Sequence, residues 1–167
     1  MIESISKMLR RDLLSMLALT AAGGFVFPTW LLAEAEELEV TKTDEEWRRL
    51  LTPAQYRVLR HEDTEPAGSS PLVDEHRKGV FVCAGCELPL FTSETKFESG
   101  TGWPSFWSPV EGALGTKADW SFGVKRNEVH CRRCGGHLGH LFNDGPPPTG
   151  LRYCMNGVAL KFIAEES

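Results

Sequence analysis

Cys83-Ala84-Gly85-Cys86 and Cys131-Arg132-Arg133-Cys134 are the two stretches on which the fold turns. Each holds two thiols one tight turn apart, and together they offer four sulfurs, the donor set of a closed tetrahedral zinc site. The 44 residues between Cys86 and Cys131 exceed zinc-ribbon spacing. The two knuckles are therefore expected on different hairpins, where one ion would staple distant parts of a sheet. Disulfides are an alternative in an exported chain, and a thioredoxin-like redox pair is another, although neither pair sits in the βαβ context that the latter requires. Iron would fit the same four-sulfur cage. His130, beside Cys131, could replace one thiolate; His61 and His76 carry no assignment.

Around these motifs the pattern is that of short strands. Val80-Phe81-Val82, Pro89-Leu90-Phe91, Ser121-Phe122-Gly123-Val124 and the run from Met155 to Ile163 are apolar or alternating and are separated by Gly, Pro and Asn. In the last run Val158, Leu160 and Phe162 share one face. Asp144-Gly145-Pro146-Pro147-Pro148-Thr149-Gly150 reads as a stiff loop. Upstream, two helix starts follow one another: Thr43-Asp44-Glu45-Glu46 is a capping box ahead of Trp47, Leu50 and Leu51, and Thr52-Pro53-Ala54-Gln55 repeats it ahead of Tyr56, Val58 and Leu59. Residues 62–71 read as polar and flexible, and Trp47, Trp107 and Trp120 as core. The expected architecture is mainly β: two short helices leading a small antiparallel β domain.

Residues 1–35 read as an export signal. Lys7, Arg10 and Arg11 precede the apolar run from Leu13 to Ala22, and Ala33-Glu34-Ala35 offers a cleavage site that would leave 36–167 as the working domain. The Arg10-Arg11 pair gives it a twin-arginine character, a route for folded proteins and hence for a periplasmic location. Folding before export would let zinc fill the thiolates in a reducing compartment. The alternative is an uncleaved membrane anchor over 13–32, a weak span given Ser15, Thr20, Gly23, Gly24 and Pro28. Trp30 belongs to this segment.

Eighteen Lys and Arg against 23 Asp and Glu give a net charge of -5, which argues against nucleic acid as a partner. Four ligands subtracted from five cysteines leave Cys154, in Arg152-Tyr153-Cys154-Met155-Asn156. It is either an inert buried thiol or a reactive one whose thiolate Arg152 would favour. His137 and His140, in Gly136-His137-Leu138-Gly139-His140, are candidate proton carriers among glycines that permit close approach. Gly102-Trp103-Pro104 fixes an indole in a loop, where its face can meet a ligand.

Taken together, the two Cys-x-x-Cys pairs, Ser99-Gly100-Thr101-Gly102-Trp103-Pro104-Ser105-Phe106, Gly136-His137-Leu138-Gly139-His140, Asp144-Gly145-Pro146 and Arg152-Tyr153-Cys154-Met155-Asn156 resemble the MsrB-type methionine-R-sulfoxide reductases from about Asp44 to Phe162. The resemblance implies a β-tent of two antiparallel sheets, with one structural zinc on Cys83, Cys86, Cys131 and Cys134. It implies that Cys154 attacks the sulfur of oxidised methionine in proteins or peptides and is left as a sulfenic acid. His140 would protonate the departing oxygen, with His137 beside it, and Asn156 would orient substrate or histidine. Trp103 would wall the substrate methyl, and Asp144 and Arg152 would lie near the substrate. Many relatives carry a resolving cysteine where Thr101 stands. The expected cycle therefore uses one cysteine, recycled by a thioredoxin-like protein or a small thiol. The competing reading is a non-catalytic, zinc-stapled β-tent binding module, and a zinc-ribbon nucleic-acid binder comes third.

Overall fold

The computed structural model describes residues 38–120, 123 and 125–166. The signal reading of 1–35 and three of the four residues of the 121–124 strand reading lie outside the described residues. Both helices start where the caps predict. In α1 (Asp44–Leu50) the Thr43 hydroxyl accepts from the Glu46 amide at 3.3 Å, while the Glu46 carboxylate accepts from the Thr43 amide at 2.8 Å. In α2 (Pro53–His61) Thr52 and Gln55 make the same reciprocal pair, and Pro53 sits where no amide donor is needed. Each cap contributes about 1 kcal/mol, a large share for helices this short. Trp47, Leu51, Tyr56, Val58 and Leu59 are buried. Leu50 is not: it is 55% exposed, on the solvent edge of the stripe that Trp47 and Leu51 define.

Two antiparallel sheets follow among the described residues. The smaller has the order β2-β1-β9, from β1 (Gly79–Cys83), β2 (Pro89–Thr92) and β9 (Leu160–Ala164). The larger has the order β3-β4-β8-β7-β6-β5, from β3 (Lys96–Phe97), β4 (Ser105–Phe106), β5 (Leu114–Asp119), β6 (Arg126–Cys131), β7 (His137–Phe142) and β8 (Arg152–Met155). Aromatic rings join the sheets. Phe106 of β4 stacks on Phe91 of β2 with centroids 4.1 Å apart and meets Phe81 of β1 edge-on at 4.9 Å, all three fully buried.

The strands β5, β6 and β7 escaped the sequence reading. They carry Lys, Arg, Glu, His and Gly in place of a clean apolar alternation, because much of their inner face serves a polar site. The single run expected from Met155 to Ile163 is in fact two strands. β8 ends at Met155, a 3-10 turn spans Gly157–Ala159, and β9 begins at Leu160 in the other sheet. Gly157 permits the crossing, since a Cβ there would lie 2.1 Å from Ser70 Oγ. Val158 thus belongs to the turn and does not share a strand face with Leu160 and Phe162.

Residues 62–71 are tied down rather than loose. The Gly68 amide donates to the Gly102 carbonyl at 2.7 Å, and the Glu65 amide donates to Asn156 Oδ1 at 2.9 Å. Trp47 is core as expected, but Trp120 is 67% exposed just past the end of β5, with the Lys125 ammonium 5.9 Å from its ring centre. No helix of the described residues is long and apolar enough to cross a membrane.

Candidate active site

The four paired cysteines meet. Their sulfurs all lie within 4.8 Å of one another, with Cys83 Sγ 3.7 Å from Cys134 Sγ and Cys86 Sγ 3.5 Å from Cys131 Sγ. Four sulfurs at about 2.3 Å from one tetrahedral ion would be roughly 3.8 Å apart, so the donors fit a closed metal site. The two knuckles are built alike. The Glu87 amide donates to the Cys83 carbonyl at 2.8 Å, and the Gly135 amide to the Cys131 carbonyl at 2.8 Å. Glu87 and Gly135, each the residue after the second thiol, have positive φ of 61° and 67°. Leu59 of α2 seats on this end: a Cβ on Gly136 would lie 2.9 Å from Leu59 Cδ2, and Arg60 donates to the Cys134 carbonyl at 3.1 Å. His130 is outside the sulfur group and packs over Gly115.

The fifth cysteine stands in a different polar row. In the larger sheet Lys117 pairs with Glu128, Glu128 with His140, His140 with Cys154, and Cys154 with Ser105. Directly opposed residues of antiparallel strands share a face, so one register line carries these five side chains across five strands. Cys154 and His140 open into a small cleft of about 150 Å³, whose other walls include Trp103, Phe142, Asn156, Arg126 and Thr64. Gly139 lets β7 approach closely; a Cβ there would lie 2.1 Å from the Cys154 carbonyl oxygen. The Trp103 indole is fixed by donation from Nε1 to the Glu65 carbonyl at 3.0 Å. Asn156 is buried and donates through Nδ2 to the Leu138 carbonyl at 3.1 Å. A larger cleft, about 510 Å³, opens beside Val58, Glu65 and Leu72, and its walls contain neither cysteine nor histidine.

Burial pushes the Cys154 thiol up from its ordinary value, opposed by the Thr101 hydroxyl, the Arg152 charge and the Ser105 hydroxyl. Three hydroxyls form a chain to the thiol: Ser105 Oγ to Ser99 Oγ at 2.7 Å, Ser99 Oγ to Thr101 Oγ1 at 2.9 Å, and Thr101 Oγ1 to Cys154 Sγ at 3.9 Å. Burial also holds His140 below its ordinary value, against the raising effect of Asp119, whose carboxylate contacts Nε2 at 2.8 Å. Arg126 holds that same carboxylate oxygen at 2.7 Å. Burial thus favours the neutral thiol and the neutral imidazole, while donors stand ready for the thiolate and an acceptor for the imidazolium.

Of the residues singled out in the sequence, Cys154, His140, Trp103 and Asn156 come together at this cleft. His137 points into the adjoining space, buried with Nδ1 3.0 Å from Glu128 Oε1, and its ring centre lies 5.5 Å from that of His140. Burial alone would raise the Glu128 carboxyl, but His137 and Lys117 hold it below its usual range. Arg152 and Asp144 flank the cleft and do not line it. They form a two-pronged pair at 2.8 Å and 2.8 Å, with the guanidinium 4.4 Å over the Phe142 ring. Asp119, Arg126, Glu128, Thr64 and the Ser99–Ser105 pair were missed. Ser99 and Ser105 stand in the quoted stretch around Trp103 without a role given to them; the others stand in no motif of their own, and only the pairing of Asp119 with Arg126 and of Glu128 with His140 reveals the first three.

Residues 51–164 match the family model described as the SelR domain. Among similar curated proteins is a peptide methionine sulfoxide reductase MsrB of Leptospira interrogans, 55% identical over 128 residues that cover 76% of this chain and 98% of the relative. Proteins of the same name from Agrobacterium fabrum (50% identical, 74% of this chain and 93% of the relative) and Methanosarcina barkeri (53%, 76% and 90%) are also similar. Among solved structures, the Mis18 "Yippee-like" domain aligns with a TM-score of 0.45 and 18% identity, over 55% of this chain and 100% of that one.

Proposed function

Since the chain belongs to the MsrB family of peptide methionine sulfoxide reductases, we propose that it reduces the R epimer of methionine sulfoxide, mainly in peptides and proteins, with Cys154 as the nucleophile. The observation that carries this reading is the meeting of Cys154 and His140 in a cleft walled by Trp103, Phe142 and Asn156. A methyl sulfoxide is a small apolar cap beside a strong dipole. An aromatic wall and a polar wall in fixed relation bind one epimer in reacting geometry and turn the other away.

His140 takes the thiol proton as the sulfur attacks the sulfoxide sulfur, and returns it to the sulfoxide oxygen as the S–O bond weakens. Asp119 supports the transient imidazolium, and Arg152 supports the transient thiolate. The hydroxyl then passes to the Cys154 sulfur as its bonds to methionine, sulfur–sulfur and sulfur–oxygen, break; methionine leaves and Cys154 is a sulfenic acid, so the thiol loses the two electrons that the sulfoxide gains. Every other cysteine of the chain is in the sulfur cage. Thr101, at 3.9 Å from Cys154, cannot form a disulfide. The sulfenic acid is therefore reduced from outside: one thiol displaces water to give a mixed disulfide, and a second releases Cys154.

We assign zinc to the cage of Cys83, Cys86, Cys131 and Cys134, where a closed four-thiolate ion supplies structural cross-linking and no open coordination position. The charged N-terminal segment with its Arg10-Arg11 pair supports export to the periplasm, tested by fractionating cells that express the full chain. The chemistry is tested by a single turnover without external thiol. About one methionine per chain from the R epimer, none from the S epimer, and loss in Cys154→Ser is the expected result. No product from a folded, metal-loaded chain would overturn the reading.

A further inference from the structure

One residue outside the motifs grips the cleft from three sides. Glu65 lies in the segment between α2 and β1, and its carboxylate accepts hydrogen bonds from two consecutive amides, those of Gly157 and Val158, the latter at 3.0 Å. These amides belong to the turn that leaves Asn156. The amide of Glu65 donates to Asn156 Oδ1 at 2.9 Å, and its carbonyl accepts from Trp103 Nε1 at 3.0 Å. Side chain and main chain of one residue thus tie the aromatic wall, the amide wall and the turn after the Cys154 strand to one another.

The segment is also closely packed. A Cβ on Gly157 would lie 2.1 Å from Ser70 Oγ and 3.3 Å from Glu65 Oε1, and a Cβ on Gly102 would lie 2.9 Å from the Ala67 methyl. The segment carrying Glu65 is therefore pressed against both the Trp103 loop and the β8 turn, with the Gly68 amide donating to the Gly102 carbonyl at 2.7 Å as a second tie. Trp103 Nε1 and Asn156 Oδ1 each have Glu65 as a partner, and both use its main chain. Beside the Gly68 tie, that main chain is anchored by its own carboxylate on the Gly157 and Val158 amides. Hydrogen bonds to an ionised acceptor are about twice as strong as neutral ones, so this anchor is the strong link in the set.

We propose that Glu65 is a positioning residue of the sulfoxide site: its carboxylate sets the distance between Trp103 and Asn156, and with it the fit of the methyl sulfoxide over Cys154. This rests on Cys154, Trp103 and Asn156 forming that site. Glu65 touches no reacting atom, so its loss acts on how substrate is held more than on the chemical step.

The test uses the full chain with metal bound, a peptide methionine R-sulfoxide and dithiothreitol, comparing wild type, Glu65→Ala, Glu65→Gln and the exposed control Glu45→Ala. In Glu65→Ala KM should rise about tenfold with a smaller fall in kcat, the R over S preference should narrow, and hydrogen exchange at the Trp103 indole N–H should quicken at least tenfold. Glu65→Gln keeps one acceptor and the shape, and should recover part of each effect, which also serves if the alanine variant does not fold. The proposal is overturned if KM and indole exchange stay within twofold of wild type in both variants. It is equally overturned if activity falls only in proportion to the folded fraction. An inactive wild type would instead overturn the sulfoxide reading, while indole exchange would still report on Glu65.

Discussion

His140 Nε2 lies 2.8 Å from Asp119 Oδ2, between side chains only 12% and 11% exposed. The pairing joins β7 to the end of β5, two strands away, and it opposes the effect of burial on the ring.

The first prediction concerns pH. Burial holds His140 below its ordinary value and pushes Cys154 above its own, so kcat/KM should be flat across neutral pH. Activity falls on the acid side when His140 gains a proton before it can accept one, and on the alkaline side when Cys154 has already lost its own. Asp119→Asn removes an interaction that raises His140, so the acid limb should move to lower pH. Its kcat should fall about tenfold, since the imidazolium loses its partner. An unmoved acid limb in a pH–rate profile would detach Asp119 from His140.

A second prediction follows from Thr101, whose hydroxyl already lies 3.9 Å from Cys154 Sγ. Thr101→Cys should turn the one-cysteine cycle into a two-cysteine cycle. After one turnover without external thiol, intact mass should show loss of two hydrogens as a disulfide forms; wild type should show gain of one oxygen.

Third, the sulfur cage supports the fold directly. Metal analysis should give about one zinc per chain. Cys134→Ser, which leaves three thiolates beside Leu59 and Gly136, should release the metal and lower Tm by about 10 °C or more. A melting curve unaffected by chelator or by the substitution would contradict this.

Fourth, Arg152 and Asp144 should affect the Cys154 thiol unequally. Arg152 lowers the thiol pKa, so Arg152→Met should move the pH midpoint of Cys154 alkylation upward. Asp144 is 62% exposed and acts only by holding the guanidinium, so Asp144→Asn should produce a smaller shift in the same direction.

Fifth, Gly139→Ala places a methyl where the Cys154 carbonyl oxygen already stands, 2.1 Å away. It should push β7 from β8 and reduce kcat/KM by at least a hundredfold, with a lowered Tm. Gly100→Ala is the comparison: nothing lies within 4 Å of its Cβ, and only a positive φ of 71° opposes it. Its Tm should fall by no more than a few degrees.

The readable parts of this protein are those whose physics is local. Thr43 with Glu46 and Thr52 with Gln55 cap helices through residues three apart, and each Cys-x-x-Cys forms its knuckle within one turn. The distinctive stretches around Trp103 and Cys154 stood out for the same reason, each being contiguous in the chain. Trp120 and the broken run after Met155 were misread, because exposure and the crossing between sheets depend on neighbours far along the chain. The partners of the site lay beyond local reach altogether. Asp119 meets His140, and Glu65 meets both Trp103 and Asn156, through pairings separated by 21, 38 and 91 residues. The sequence alone determined the strand-rich class, the four sulfurs that cluster and the one cysteine left outside them. Only the tertiary structure decided which carboxylate serves the histidine and which carbonyl holds the indole, since sheet register and the packing of one segment against another bring them within hydrogen-bond distance.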